Sequence, residues 1–114
     1  MVAQGELYWV DFGEPIGSEP GFLRPAVVVQ NDASNETNMG TVIVCPLTSN
    51  LRRAFPEAVV LDPGEGGLTV RSLVEVWSPT TLSVRAIGDY IGTLAVRRSY
   101  QIASGITRYL DPAL

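Results

Sequence analysis

The chain has 114 residues, 46% hydrophobic and 18% charged, which suits one folded domain over residues 1–114 and excludes a disordered chain or a second core. Histidine is absent and cysteine occurs once, at Cys45, so cysteine–histidine zinc sites, His-based acid–base pairs and internal disulfides are excluded. The net charge of −4 and pI near 4.6 argue against generic DNA coating, which needs a basic surplus, but not against local RNA binding.

All eight basic residues are arginine, a choice that suits planar, bidentate phosphate contacts and that a GC-rich genome also produces. Asp and Glu are scattered singly, so no metal or other cofactor is expected. No apolar run reaches the roughly 18 residues of a membrane span, and the first residues lack a basic stretch followed by an apolar core. The protein is expected to be soluble, unexported and cytoplasmic, without membrane partners.

In chain order, Glu6 to Phe12 reads as a strand, rich in aromatic and β-branched residues. Gly13 to Gly21, with three glycines and two prolines, is a long irregular loop. Ala26 to Gln30 and Thr41 to Leu47 are two central strands, joined by the turn-forming stretch Asn31 to Gly40. The apolar setting of Cys45 in the second of these favours a packed core thiol. Glu57 to Leu61 and Leu68 to Trp77 read as further strands around a tight turn at Asp62 to Gly67. Ser78 to Arg85 reads as a short helical turn. From Gly92 onward the period lengthens to about 3.6 and predicts an amphipathic helix. Val96, Tyr100, Ala103, Thr107 and Leu110 share its expected buried face, Thr93 is the expected cap, and Gly105 weakens it relative to alanine. About five strands followed by a helix, without βαβ alternation, predict a small antiparallel barrel or sheet with a helix packed on it.

Three blocks carry a family resemblance. Gly5-Glu6-Leu7-Tyr8-Trp9-Val10-Asp11-Phe12 leads through the Gly/Pro loop to Arg24-Pro25-Ala26-Val27-Val28-Val29-Gln30-Asn31-Asp32. Val42-Ile43-Val44-Cys45-Pro46-Leu47-Thr48-Ser49 follows, and then Gly67 to Ser78 with Ile91-Gly92-Thr93-Leu94. In this order and spacing they resemble the MazF/Kid (PemK-like) toxins over nearly the whole chain. The resemblance implies a mainly β, SH3-like barrel or sheet with a C-terminal helix. It further implies a homodimeric toxin of a type II toxin–antitoxin system, restrained by a cognate antitoxin. Such a toxin is an mRNA interferase, an endoribonuclease that cuts single-stranded RNA at short sequences without metal, leaving 2′,3′-cyclic phosphate and 5′-hydroxyl ends.

The resemblance assigns catalysis to Arg24 and Thr48. A guanidinium can fork two N–H donors onto phosphate oxygens as the phosphorus becomes five-coordinate, and a threonine hydroxyl can add a further hydrogen bond. A guanidinium is rarely deprotonated, so charge stabilisation is read as its main task, although some accounts of the family give this arginine acid–base duties. The plain structural alternative is a surface ion pair for Arg24 and a strand end for Thr48. Glu19, Phe22, Ser49 and Asn50 are candidate RNA contacts from flanking loops. Glu75 and Ser78 are candidates for reading base edges, and Trp77 for stacking on a base or, equally, for core or dimer packing.

Two departures from the family pattern stand out. Trp77 occupies a position usually held by arginine, and the carboxylate and arginine that Kid-like members use on this strand fall at or near Val74 and Ser72. Those acid–base roles do not transfer, and the general base is left open; Arg71, one residue away, points to the opposite face in that register. Two readings of other classes compete with the nuclease. One is a family member that binds RNA or a peptide without cutting. The other is a CcdB-like gyrase poison, disfavoured because the chain ends Tyr109-Leu110-Asp111-Pro112-Ala113-Leu114 rather than in Trp-Gly-Ile.

Overall fold

The structure is a computed structural model that describes residues 1–54 and 58–114, with the backbone alone for Arg53. Strand β1 (Glu6–Asp11) pairs antiparallel with β2 (Leu23–Val28), setting Trp9 opposite Pro25 and Val10 opposite Arg24. Proline is tolerated there because it lies near the start of its strand. β2 pairs in turn with β3 (Thr41–Thr48), the longest strand, whose Val-Ile-Val run suits a doubly buried position. The opposite edge of β3 is shared end to end, by β6 (Thr80–Ser83) along Thr41 to Val44 and by β5 (Ser72–Val74) at Leu47 and Thr48. β4 (Val60–Leu61) flanks β5, and β7 (Ile87–Thr93) closes the other side on β1.

Alternation along the strands feeds two cores. Leu7, Val27, Cys45 and Leu47 pack with Val74, Val76 and Ile102 on the face covered by the C-terminal helix, whereas Val10, Ala26, Val28, Val42 and Val44 pack on the other face. The helix, α2 (Val96–Leu110), crosses the first core. This mostly antiparallel sheet with a C-terminal helix is the expected architecture.

Several elements differ from the sequence reading. The described strands number seven rather than about five. The span Leu68 to Trp77 keeps only Ser72–Val74 as strand. Ser78 to Arg85 is mainly strand, β6, because the free edge of β3 supplies backbone partners to Thr80–Ser83, and only its end enters a short 3-10 turn, Val84–Ala86. β7 was not predicted at all. Its two glycines and one aspartate lower strand propensity, but the open edge of β1 satisfies its backbone, with register shifts on either side of Tyr8. The loop Asn31 to Gly40 contains a short helix, α1 (Asp32–Asn35), begun by Asn31, whose side chain accepts from the Ser34 amide. Glu57, the expected start of a strand, lies outside the described residues; the strand there is Val60–Leu61.

α2 starts at Val96, and Thr93 does not cap it: Thr93 ends β7 with its hydroxyl 2.6 Å from that of Tyr90. The expected buried face is exposed, with Val96, Tyr100 and Leu110 each more than 70% accessible, and the helix buries Ile102 and half-buries Ile106 instead. Apolar residues lie on both sides of this helix, so periodicity does not choose between them. Two tertiary contacts do. Arg98 is bound to Glu65, and a Cβ on Gly105 would sit 3.1 Å from Val76. Gly105 costs helix propensity but permits that close approach.

Candidate active site

One end of the sheet, where β1, β2, β3 and β5 with its flanking residues converge, holds a groove of about 450 Å³. Its polar lining comes from Arg24, Thr48, Ser49, Ser72 and Glu75, and its apolar lining includes Trp9, Leu23 and Val70. β2 delivers Arg24 at its second residue, and β3 delivers Thr48 at its last. The two come from adjacent strands, so the pairing of β2 with β3 brings them to one place.

Arg24 is held on two sides. Its Nε and Nη2 donate to the Leu47 carbonyl at 3.2 and 2.8 Å, and Nη2 lies 3.2 Å from Glu75 Oε2. Its side chain remains 22% accessible, whereas that of Glu75 is 3% accessible. Nη1 makes no hydrogen bond among the described residues, so the guanidinium keeps donors for an incoming anion. Thr48 Oγ1 accepts from the Asn50 amide at 3.1 Å, which leaves its hydroxyl hydrogen to donate elsewhere. A planar cation and a hydroxyl donor in one groove match the needs of a phosphate gaining negative charge.

Cys45 lies in the core next to this site. Burial, with a smaller contribution from the Glu75 charge, pushes its thiol up to about 12. It stays protonated at neutral pH and is no nucleophile. No group of three His, Cys, Asp or Glu side chains among the described residues is arranged to hold a metal ion. No helix among them is long and apolar enough to cross a membrane.

A family model for the PemK-like, MazF-like toxins of type II toxin–antitoxin systems matches residues 3–110. The chain belongs to this family. Endoribonuclease MazF6 of Mycobacterium tuberculosis is 33% identical over 112 residues, covering 97% of this chain and 98% of that one. Endoribonuclease EndoA of Bacillus subtilis is 30% identical over 92 residues, covering 80% and 78%. Among solved structures, a mycobacterial endoribonuclease in complex with its cognate antitoxin aligns with a TM-score of 0.76 at 25% identity, covering 96% of this chain and 95% of that one. MazF of Deinococcus radiodurans aligns with a TM-score of 0.80 at 24% identity over 96% of each, a likeness of fold.

In this MazF-like chain the other residues singled out from the sequence are distributed unevenly. Ser49 and Glu75 line the groove with Arg24 and Thr48. Asn50 turns its side chain to the Arg52 amide and caps a single 3-10 turn, Leu51–Arg53. Glu19 accepts from the Ile16 amide within its own loop. Phe22, one residue before β2, is exposed and is the one non-glycine described with a positive φ, 60°. Trp77 packs on the helix-side core with its ring 6.3 Å from that of Tyr109, and Ser78 donates its amide to the Glu75 carbonyl; neither lines the groove. Arg71 pairs with Asp62, away from it.

The sequence reading missed Trp9, Leu23, Val70 and Ser72 as groove residues. Trp9 shares a strand face with buried Leu7 yet is 42% accessible. Nothing in the alternation of Glu6 to Phe12 separates an exposed aromatic from a core one; only the sheet's end does.

Proposed function

We propose that this chain is the toxin of a toxin–antitoxin pair and an endoribonuclease that cuts single-stranded RNA in the cytoplasm. The observation that carries the reading is the clamped guanidinium of Arg24 beside Thr48 in one open groove. Arg24 donates to the nonbridging oxygens of the scissile phosphate, and Thr48 adds its hydroxyl. The 2′-oxygen of the RNA forms a bond to phosphorus as the bond to the 5′-oxygen breaks. The 2′-hydroxyl gives up its proton and the departing 5′-oxygen takes one, leaving a 2′,3′-cyclic phosphate and a 5′-hydroxyl. No activated water takes part, so no metal hydroxide is required.

The remaining parts follow the same reading. Trp9, with Leu23 and Val70, supplies an apolar surface for a base next to the cut, and Ser49 supplies polar contacts. Glu19, Phe22, Asn50, Trp77 and Ser78 lie outside the groove lining of one protomer. The chain acts as a single domain that pairs into a homodimer and is restrained by a cognate antitoxin protein.

The test is a digest of single-stranded RNA by the purified chain in excess EDTA, with chemical analysis of the new ends and light scattering of the same sample. Cleavage with cyclic phosphate ends by a particle of twice the chain mass is expected, and a single 2′-deoxy substitution at the cut should stop it. Cleavage only on addition of magnesium, or ends bearing a 5′-phosphate, would overturn the mechanism. An intact RNA that is nonetheless bound would move the reading to a non-cutting member of the family.

A further inference from the structure

We propose that Glu75 is a positioning residue of this site. Its buried carboxylate fixes the plane of the Arg24 guanidinium so that Nη1 is presented to the scissile phosphate. The proposal rests on reading Arg24 as the phosphate-binding group above.

Three observations lead to it. Glu75 is 2% exposed, and no other carboxylate or guanidinium among the described residues is buried. It interrupts an apolar run, Leu73-Val74-Glu75-Val76, where a hydrophobic residue would pack without the cost of desolvating a charge. A buried ion pair is weak support for stability, so a carboxylate kept there asks for another role. Its backbone is also pinned from both sides, with its amide donating to Pro46 at 2.9 Å and its carbonyl accepting from Ser78 at 3.0 Å. The direction of the side chain is therefore set by the sheet and the following turn, not by a mobile loop.

The geometry at Arg24 explains what the carboxylate adds. The Leu47 carbonyl alone, reached by both Nε and Nη2, is a single acceptor about which a planar group can still pivot. Glu75 Oε2, 3.2 Å from Nη2, is a second anchor, an ion pair beside the hydrogen bonds to Leu47, carried by a different strand-end segment, and two anchors restrict the plane more than one. Orientation of this kind contributes to the transition state rather than to substrate binding. The negative charge of Glu75 in fact opposes RNA in the ground state. Glu75 also lines the groove, so its removal changes the local charge felt by the phosphate.

That opposition supplies a signature that a merely structural residue would lack. In Glu75→Gln, which keeps the shape, the single-turnover cleavage rate should fall about 10- to 100-fold, while RNA affinity stays equal or tightens. Glu75→Asp, which keeps the charge but shortens its reach, should fall between Gln and wild type in rate. Because Glu75 acts through Arg24, adding Glu75→Gln to Arg24→Ala should slow cleavage no further. The Arg24 Nε–Hε NMR signal provides a readout independent of activity: its heteronuclear NOE should drop in Glu75→Gln and be partly kept in Glu75→Asp.

Unchanged rate in a folded Glu75→Gln, or a double variant slower than Arg24→Ala by the factor Gln costs alone, would overturn the proposal. So would a loss beyond about 10³-fold, which would make the carboxylate a reacting group. Should the chain cut no RNA, the functional reading fails, yet the NMR comparison still decides whether Glu75 orders Arg24. An Arg24 signal equally ordered in all three proteins would refute the positioning role.

Discussion

Arg98 of helix α2 grips Glu65 with a two-pronged fork, Nε to Oε1 at 2.9 Å and Nη2 to Oε2 at 2.8 Å, across 33 residues of sequence. Both side chains are mostly enclosed, at 14% and 22% accessible, and Arg97 stands 4.0 Å from the same carboxylate. The fork ties α2 to the turn between β4 and β5 and so helps choose which side of the helix is buried.

The clasp makes stability depend on acid. The hydrogen bonds from Arg98, with one from the Asp62 amide, lower the Glu65 carboxyl from 4.5 to about 2. A folded-state value below the unfolded one stabilises fully above about pH 4.5 and is lost as the pH falls through about 2. After allowance for solvent screening, this amounts to roughly 1 to 2 kcal/mol. Glu65→Gln should lower the urea midpoint at pH 7 and flatten the decline in stability between pH 4.5 and 2. An equal acid response in both proteins would refute the assignment.

Arg24→Ala should slow cleavage by about 10² to 10³, the usual loss for one donor to a developing oxyanion. Thr48→Ala should cost about 10 to 10², since a neutral hydroxyl donates more weakly. Arg24→Lys should remain impaired, because an ammonium does not reproduce a planar fork shared between Leu47 and Glu75. Arg24→Ala should also destabilise the fold by about 3 kcal/mol, the low end for removing one partner of a buried pair, because Arg24 itself is partly exposed. Single-turnover rates and urea midpoints check both halves. A folded Arg24→Ala that keeps more than about a tenth of the rate contradicts the catalytic role.

Trp9→Ala should weaken RNA binding by roughly 1 to 3 kcal/mol, the range for one base stacked on an aromatic ring. Its stability cost should be small for a tryptophan, given that the ring is 42% accessible. Titration of a fluorescently labelled, noncleavable 2′-deoxy substrate, read by anisotropy, compares Trp9→Ala with wild type. A binding curve that Trp9→Ala leaves unmoved would place the base elsewhere.

Gly92→Ala should destabilise the protein by roughly 1 to 3 kcal/mol, the usual range for overpacking a close contact. A Cβ there would stand 2.0 Å from the Gly66 carbonyl oxygen, so the β7 backbone and the turn before β5 have to separate. A urea midpoint within error of wild type would mean that the two segments part without cost.

The residue order alone carried much of the outcome. Aromatic and β-branched runs specified β1, β3 and the Ala26–Val28 part of β2, which extends back to Leu23 where the expected strand ran on to Gln30. The Arg24-Pro25 and Pro46-Leu47-Thr48-Ser49 blocks pointed to the family and to the pair that now lines one groove. Composition removed histidine and disulfide chemistry without any structure, because those depend on which residues exist. What depends on a neighbour distant in sequence was not legible. β6 is too short to declare itself and β7 carries glycines and an aspartate; both exist because β3 and β1 have edges to pair with. The buried face of α2 was decided by Arg98 reaching Glu65 and by Gly105 meeting Val76, since the helix has apolar residues on both sides. The exposure of Trp9 and the enclosure of Glu75 were likewise tertiary outcomes. Burial is a property of where strands end against one another, and no local period encodes where that end falls.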